Sequence, residues 1–331
     1  MAENVRAATS RLAAVDVGKL AAAAAVVWIH VTACEQSRAL LPLCRFAVPF
    51  FTAAAVYFVL QKACSSSNAS FTAYTLQRAR RLYVPFLIWG LFYLAVRLVK
   101  QLVTGSGSPI VWSPALLLNG TTHHLWFLPF VCVASIAVFG LVRWRGLPPG
   151  RDYKWWSLAL ALLGAALSLT NCPVIIDVTN YPITYFIDHA WDALPSVLLG
   201  AALFLALRTA VPSPRARWSA LAIGLGCIVA ELWSSDLPVA PHLAGAAFLL
   251  FCLTQPDRPW MMAVQPWAEL AFVIYLIHVL FVEGLQTVAD RFGSVTSLPA
   301  DLSVWALSLV ASAIVARLLL RSNALAWASP R

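Results

Sequence analysis

The chain has 331 residues, of which 61% are hydrophobic and 11% charged, and a mean hydropathy of +0.78. Soluble domains carry about 25% charged residues, so a sizeable soluble domain is excluded, and the 14 Trp suit belts where a ring meets both lipid and water. The net charge of +9 would fit nucleic acid, but the basic residues are placed as a membrane protein places them, which argues against a nucleic-acid partner.

At the N-terminus, Arg6 and Arg11 precede the apolar run Leu20 to Val31, an arrangement that imitates a signal peptide. Lys19 at its base, His30 near its far end and the lack of a well-placed small-x-small site make it a first retained span. About 20 apolar residues cross a bilayer. On that length the expected spans are 13–34, 44–61, 82–103, 124–142, 155–171, 190–208, 217–234, 240–254, 264–286 and 302–320. The expected fold is an all-α polytopic bundle of about ten transmembrane helices, one integral-membrane domain over 1–331. Turn signals such as Pro148-Pro-Gly150 and Pro212-Ser-Pro214 separate the spans. With the N-terminus cytoplasmic, only Arg38, Arg45, Arg97, Lys100 and Arg291 of the 23 Lys and Arg fall on the outer side. That asymmetry predicts N-in, C-in and an even span count.

An ionisable side chain in hydrocarbon marks a functional site by default. His278 lies inside the apolar run Ala271 to Val282, His30 lies inside another, and His124 opens a third in His124-Leu-Trp126-Phe-Leu. A histidine out of water is held neutral and able to accept a proton, as a general base requires. Lys19 and His30, eleven residues apart, share a helix face, as do Asp16 and His30, roughly. Arg78, Arg80 and Arg81 map to the inner mouth of the third span, where they could hold a phosphate-bearing donor. Each has a plainer reading: the arginines as topology anchors, Lys19 as a snorkelling side chain, the histidines as interhelical hydrogen-bonders. His123, His189 and His242 read as interfacial, and adjacent His123 and His124 would diverge on a helix. The seven cysteines are scattered, with no C-x-x-C, and read as small buried hydrophobes; no metal site is expected.

Arg11-Leu-Ala-Ala-Val-Asp16-Val-Gly-Lys19, followed by His30, resembles the first-span signature of the integral-membrane acyltransferase 3 family. Arg45-Phe-Ala-Val-Pro49, Arg78-Ala-Arg80-Arg81-Leu-Tyr-Val-Pro85, His124-Leu-Trp126 and Ile274-Tyr275-Leu-Ile-His278 resemble its later motifs, in the family's order. Two departures stand out: Lys19 where arginine is commoner, and Thr52-Ala-Ala-Ala where Ser-Gly is frequent, which leaves close helix approach there open.

The resemblance implies transfer of an acyl group, usually acetyl, from acyl-CoA to a hydroxyl of a surface or lipid-linked carbohydrate in exopolysaccharide biosynthesis. It implies acetyl-CoA as a co-substrate rather than a resident cofactor. Membrane lipids and other polysaccharide-assembly proteins are the implied partners, and a bacterial inner membrane the implied location. Expected catalytic residues are His30, His278 and Asp16; expected donor contacts are Arg11, Lys19, Arg78, Arg80 and Arg81; expected acceptor contacts are His124, Trp126 and Tyr275. Competing readings are a transporter or flippase of a lipid-linked glycan, a polyprenyl-dependent glycosyltransferase or polymerase, and a scaffold.

Overall fold

The computed structural model describes residues 12–65, 70–105, 112–148, 151–170, 182–209, 212–234, 237–256, 258–291 and 297–322. All regular structure among them is helical: α1 Ala13–Ile29, α2 Glu35–Ala39, α3 Ala47–Ser65, α4 Phe71–Arg78, α5 Val84–Thr104, α6 Leu116–Asn119, α7 Phe127–Arg145, α8 Lys154–Leu167, α9 Pro182–Thr209, α10 Pro214–Trp233, α11 Ala240–Leu253, α12 Pro259–Ala268, α13 Ala271–Arg291 and α14 Leu298–Arg321. With no water in hydrocarbon to satisfy the backbone, helices closing their own hydrogen bonds are the available solution for such apolar runs.

Seven helical stretches among the described residues are long and apolar enough to cross a membrane: Leu41–Ser65, Phe71–Val103, Phe127–Arg145, Thr184–Arg208, Pro214–Trp233, Ala271–Arg291 and Leu298–Arg321. Three further expected spans are shorter helices, α1, α8 and α11, of 17, 14 and 14 residues. Apolar side chains such as Leu307, Val310, Ile314 and Leu318 on α14 face outward, and Trp144, Trp155, Trp156, Trp218 and Trp233 are exposed at helix ends. This is the distribution lipid and its interface select.

Several expected boundaries move, each for a local reason. The first helix ends at Ile29 rather than 34, because the Asp301 carboxylate accepts the backbone N–H groups of Ala33 and Cys34 at 3.1 Å, taking donors that a longer helix would use internally. The expected span 264–286 is divided by a turn at Glu269 and Leu270, three residues after Pro266. The expected third span begins earlier, since α4 and α5 run on through a π turn at Ala79–Tyr83. Pro85 explains that turn. It has no N–H, and its ring would meet the carbonyl of Arg81 in a regular helix; instead the Val84 N–H reaches back to the Ala79 oxygen.

α3 sits at the centre, packed by α1, α7, α9 and α11. Val15, Ala22, Val26, Phe50, Ala53 and Leu249 close the core between α1, α3 and α11. The Thr52-Ala-Ala-Ala stretch of α3 is approached closely after all, with the small residue supplied by its neighbours. A Cβ on Gly200 of α9 would stand 2.6 Å from the Ala53 carbonyl oxygen, and one on Gly245 of α11 would stand 2.6 Å from the Phe50 nitrogen.

Candidate active site

Four histidines from three parts of the chain meet where α1 ends, the segment before α7 runs and α13 passes. The His30 ring centroid lies 4.8 Å from that of His123, 5.0 Å from that of His278 and 6.2 Å from that of His124, and His124 lies 5.2 Å from His278. The sequence pattern puts His123 and His124 at the start of a helix, where they would diverge. The structure corrects this: α7 starts only at Phe127, and both rings turn to His30 from the non-helical segment before it. Gly120 makes the segment possible. Its φ of +74° suits glycine, and a Cβ there would meet Leu125 Cβ at 2.8 Å.

The hydrogen bonds fix the histidine protons. His278 Nδ1 lies 2.7 Å from the Tyr275 carbonyl oxygen and 3.2 Å from that of Ile274. A carbonyl only accepts, so Nδ1 carries the proton and Nε2 presents a lone pair. His278 is fully buried, and its Nε2 meets no hydrogen-bond partner among the described residues. His124 repeats the pattern in the other sense: Nε2 is directed at the Leu276 oxygen at 3.4 Å, and buried Nδ1 is left without a partner among the described residues. His30 Nδ1 and His123 Nε2 share one hydrogen bond of 3.0 Å. His123, in the loop outside the helices, is held below the ordinary histidine value by desolvation, with Glu283 opposing the shift.

The frame is held from several elements. Tyr275 donates its hydroxyl to the His124 carbonyl, which commits that O–H to the backbone. Tyr185 donates to the His123 oxygen at 2.8 Å, Arg97 to the Thr121 oxygen at 2.9 Å, and Thr121 to the Gly90 oxygen at 2.7 Å. Around His30, Gln286 donates to the Val31 oxygen and Trp305 to the Ala24 oxygen, while Asp301 holds Ala33 and Cys34. A dry floor of Phe86, Trp89, Leu125, Leu276 and Val279 lies beneath.

The other expected site residues lie apart. Asp16 is buried and pairs with Lys19 at 3.0 Å, roughly 21 Å of helix rise below His30, so it does not join the cluster. Arg11 lies outside the described residues. Trp126 turns its ring to His189, at 5.0 Å, in a second cavity of about 400 Å³ shared with Arg45, Asp192 and His242. Arg45 in turn pairs with the buried carboxylate of Glu231.

Arg78 donates Nε to the Tyr74 hydroxyl at 2.8 Å, with Tyr74 stacked on Phe139 of α7. Lys62, which no motif in the sequence singles out, lies over the same Tyr74 ring and within electrostatic reach of Arg78 and Arg81. Arg80 is exposed. From Phe127, where α7 begins just after the histidines, to Phe139 the rise along α7 is roughly 18 Å, so a basic mouth and a histidine cluster stand about 20 Å apart along one helix. Among the described residues, no three of His, Cys, Asp or Glu are grouped to hold a metal ion.

Residues 12–321 match a family model, Acyl_transf_3, described as an acyltransferase domain. No curated protein matches the chain. The match spans nearly the whole bundle and every element that frames the histidines, so the chain belongs to the acyltransferase 3 family and is an integral-membrane acyltransferase.

Proposed function

We propose that this acyltransferase moves acetyl from cytoplasmic acetyl-CoA to a hydroxyl of a surface or lipid-linked carbohydrate, in a bacterial inner membrane crossed about ten times with both termini inside. The observation that carries the reading is the bare Nε2 of His278, buried within reach of His30. The CoA phosphates dock on Lys62, Arg78 and Arg81, with Arg80 at the rim, and the acyl-pantetheine arm runs up toward the histidines. Guanidinium forks match phosphate oxygens, and a separation of roughly 20 Å is one that an extended pantetheine arm spans.

The acceptor hydroxyl attacks the thioester carbonyl. The new C–O bond forms, the C–S bond breaks, the hydroxyl proton passes to His278 Nε2, and CoA leaves as thiolate to be protonated on release. The Nδ1–H of His278, held on two carbonyls, keeps the base in the required tautomer. His124 steadies the imidazolium through its own bare nitrogen, and the oxyanion is met by the His30–His123 pair. A transient acyl-histidine would divide the same transfer into two steps; acetyl exchange between acetyl-CoA and free CoA without acceptor distinguishes that path.

The test is binding of acetyl-CoA and of acetyl-pantetheine to protein in proteoliposomes, for wild type and for Arg78→Ala with Arg81→Ala. Saturable acetyl-CoA binding, weakened roughly tenfold or more by losing either the nucleotide phosphates or the two arginines, is expected. A folded, monodisperse protein that binds no CoA would return the choice to a glycan transporter.

A further inference from the structure

A cleft of about 670 Å³ opens beside the histidine cluster, between the C-terminal halves of α5 and α13, and His123 stands in its wall. Arg97, Lys100 and Arg291 line it, with Glu283 as the one carboxylate among its lining residues. Positive-inside topology disfavours cations on the outer side. Of the five Lys and Arg that the sequence places there, out of 23, three meet in this one cleft although they come from helices far apart in the chain. Topology does not account for that concentration, whereas an anionic ligand would draw on all three.

The geometry agrees. Arg97 and Lys100 are three residues apart on α5 and share a face. Glu283, Thr287 and Arg291 recur every four residues on α13 and form a stripe opposite them. Arg97 is also tied to the loop that carries His123 through the Thr121 oxygen, so whatever Arg97 holds has a fixed relation to the His30–His123 pair. Beyond the cleft α5 turns Leu98, Val99, Leu102 and Val103 outward, an apolar flank on the bilayer side.

We propose that the cleft is the acceptor site and that the acceptor is an anionic carbohydrate, held by a phosphate or carboxylate against Arg97, Lys100 and Arg291, with the reacting hydroxyl directed at the histidines. This rests on the acyl-transfer reading above. Arginine forks and lysine complement both anions, and the excess of cation over carboxylate makes the wall selective against neutral sugars. Glu283 accepts hydrogen bonds from sugar hydroxyls. The anion belongs either to the phosphate of a lipid-linked sugar or to an acidic sugar itself.

The test uses full-length protein in phosphatidylcholine proteoliposomes without acetyl-CoA, comparing wild type with Lys100→Ala/Arg291→Ala, which leaves the Arg97–Thr121 bond in place. The probes are glucose, glucuronate, glucose 1-phosphate and polyprenyl-phosphate-linked glucose. Wild type is expected to bind the charged probes and not glucose, with affinity falling as salt rises. The double variant is expected to lose roughly tenfold or more of that affinity while binding acetyl-CoA as before. Preference for the prenyl-linked probe assigns the anion to a carrier phosphate; equal or better binding of glucuronate assigns it to the sugar. Equal binding of glucose and glucuronate, or charged-probe binding unchanged in the variant, overturns the proposal. So does displacement of every charged probe by phosphatidylglycerol alone, which would make the cleft a headgroup site. Charged-probe binding that follows these expectations, in a protein that transfers no acetyl from acetyl-CoA, leaves the cleft standing and removes the acyl-transfer reading instead.

Discussion

His278 is legible in the sequence itself, because an imidazole inside the run Ala271 to Val282 costs free energy in lipid unless it has a role. His123 is not, because adjacent histidines on a helix would part; only Asn119-Gly120, a turn signal, hints that the helix begins later. Nor can the sequence show that Asp16 pairs with Lys19 rather than with a histidine. If the bare Nε2 of His278 is the base, His278→Ala should lower kcat by about 10²- to 10⁴-fold while leaving acetyl-CoA binding within about twofold. A loss of binding equal to the loss of turnover would make the ring a packing residue. Asp301 acts one step further out, by fixing the loop after His30. Asp301→Ala should therefore reduce kcat by about tenfold at unchanged KM for acetyl-CoA, with Asp301→Asn, whose amide oxygen still accepts, recovering most of it. A change in KM alone would remove Asp301 from the positioning of His30.

Among the helices, apolar period and length locate the runs but not their neighbours. The Ala-rich stretch of α3 reads as a place where close approach is in doubt, because the glycines that permit it belong to α9 and α11. No rule of spacing within α3 reveals them. Gly200→Ala should destabilise the protein by about 1–3 kcal/mol, seen as a lower midpoint of thermal unfolding in detergent, since the new methyl meets backbone rather than a movable side chain. Gly226→Ala, where nothing lies within 4 Å, is the matched control and should hold or raise the midpoint, because alanine is the better helix former. Equal effects at the two positions would show that contact with α3 does not set the cost. The boundary shifts have the same character: the end of α1 is decided by a carboxylate on α14 that is more than 260 residues away in the chain.

For the whole molecule, the helical bundle is readable from its alternating apolar runs. Which cations meet is not, since α5 and α13 touch across 183 residues of chain, as in the bond from Tyr93 to the Leu276 oxygen. The proposed N-in, C-in arrangement predicts that Trp112 and Trp144, both exposed, face opposite compartments. In a variant with its own cysteines replaced, Trp112→Cys should react with an impermeant thiol reagent added outside, and Trp144→Cys only after the membrane is opened. Labelling of both from one side would overturn the topology.

The π turn at Ala79–Tyr83 amounts to a single-residue insertion absorbed without breaking the helix. One extra residue turns everything on one side of it by about 100° relative to the other. Arg78 and Tyr74 therefore face Lys62 and Phe139, while Tyr93, beyond the turn, stands against His124. The turn acts as a phase shifter between the two ends of one rod. Shortening it by a residue would leave both ends folded but aim them at different neighbours, uncoupling the basic mouth from the cluster without touching a residue of either.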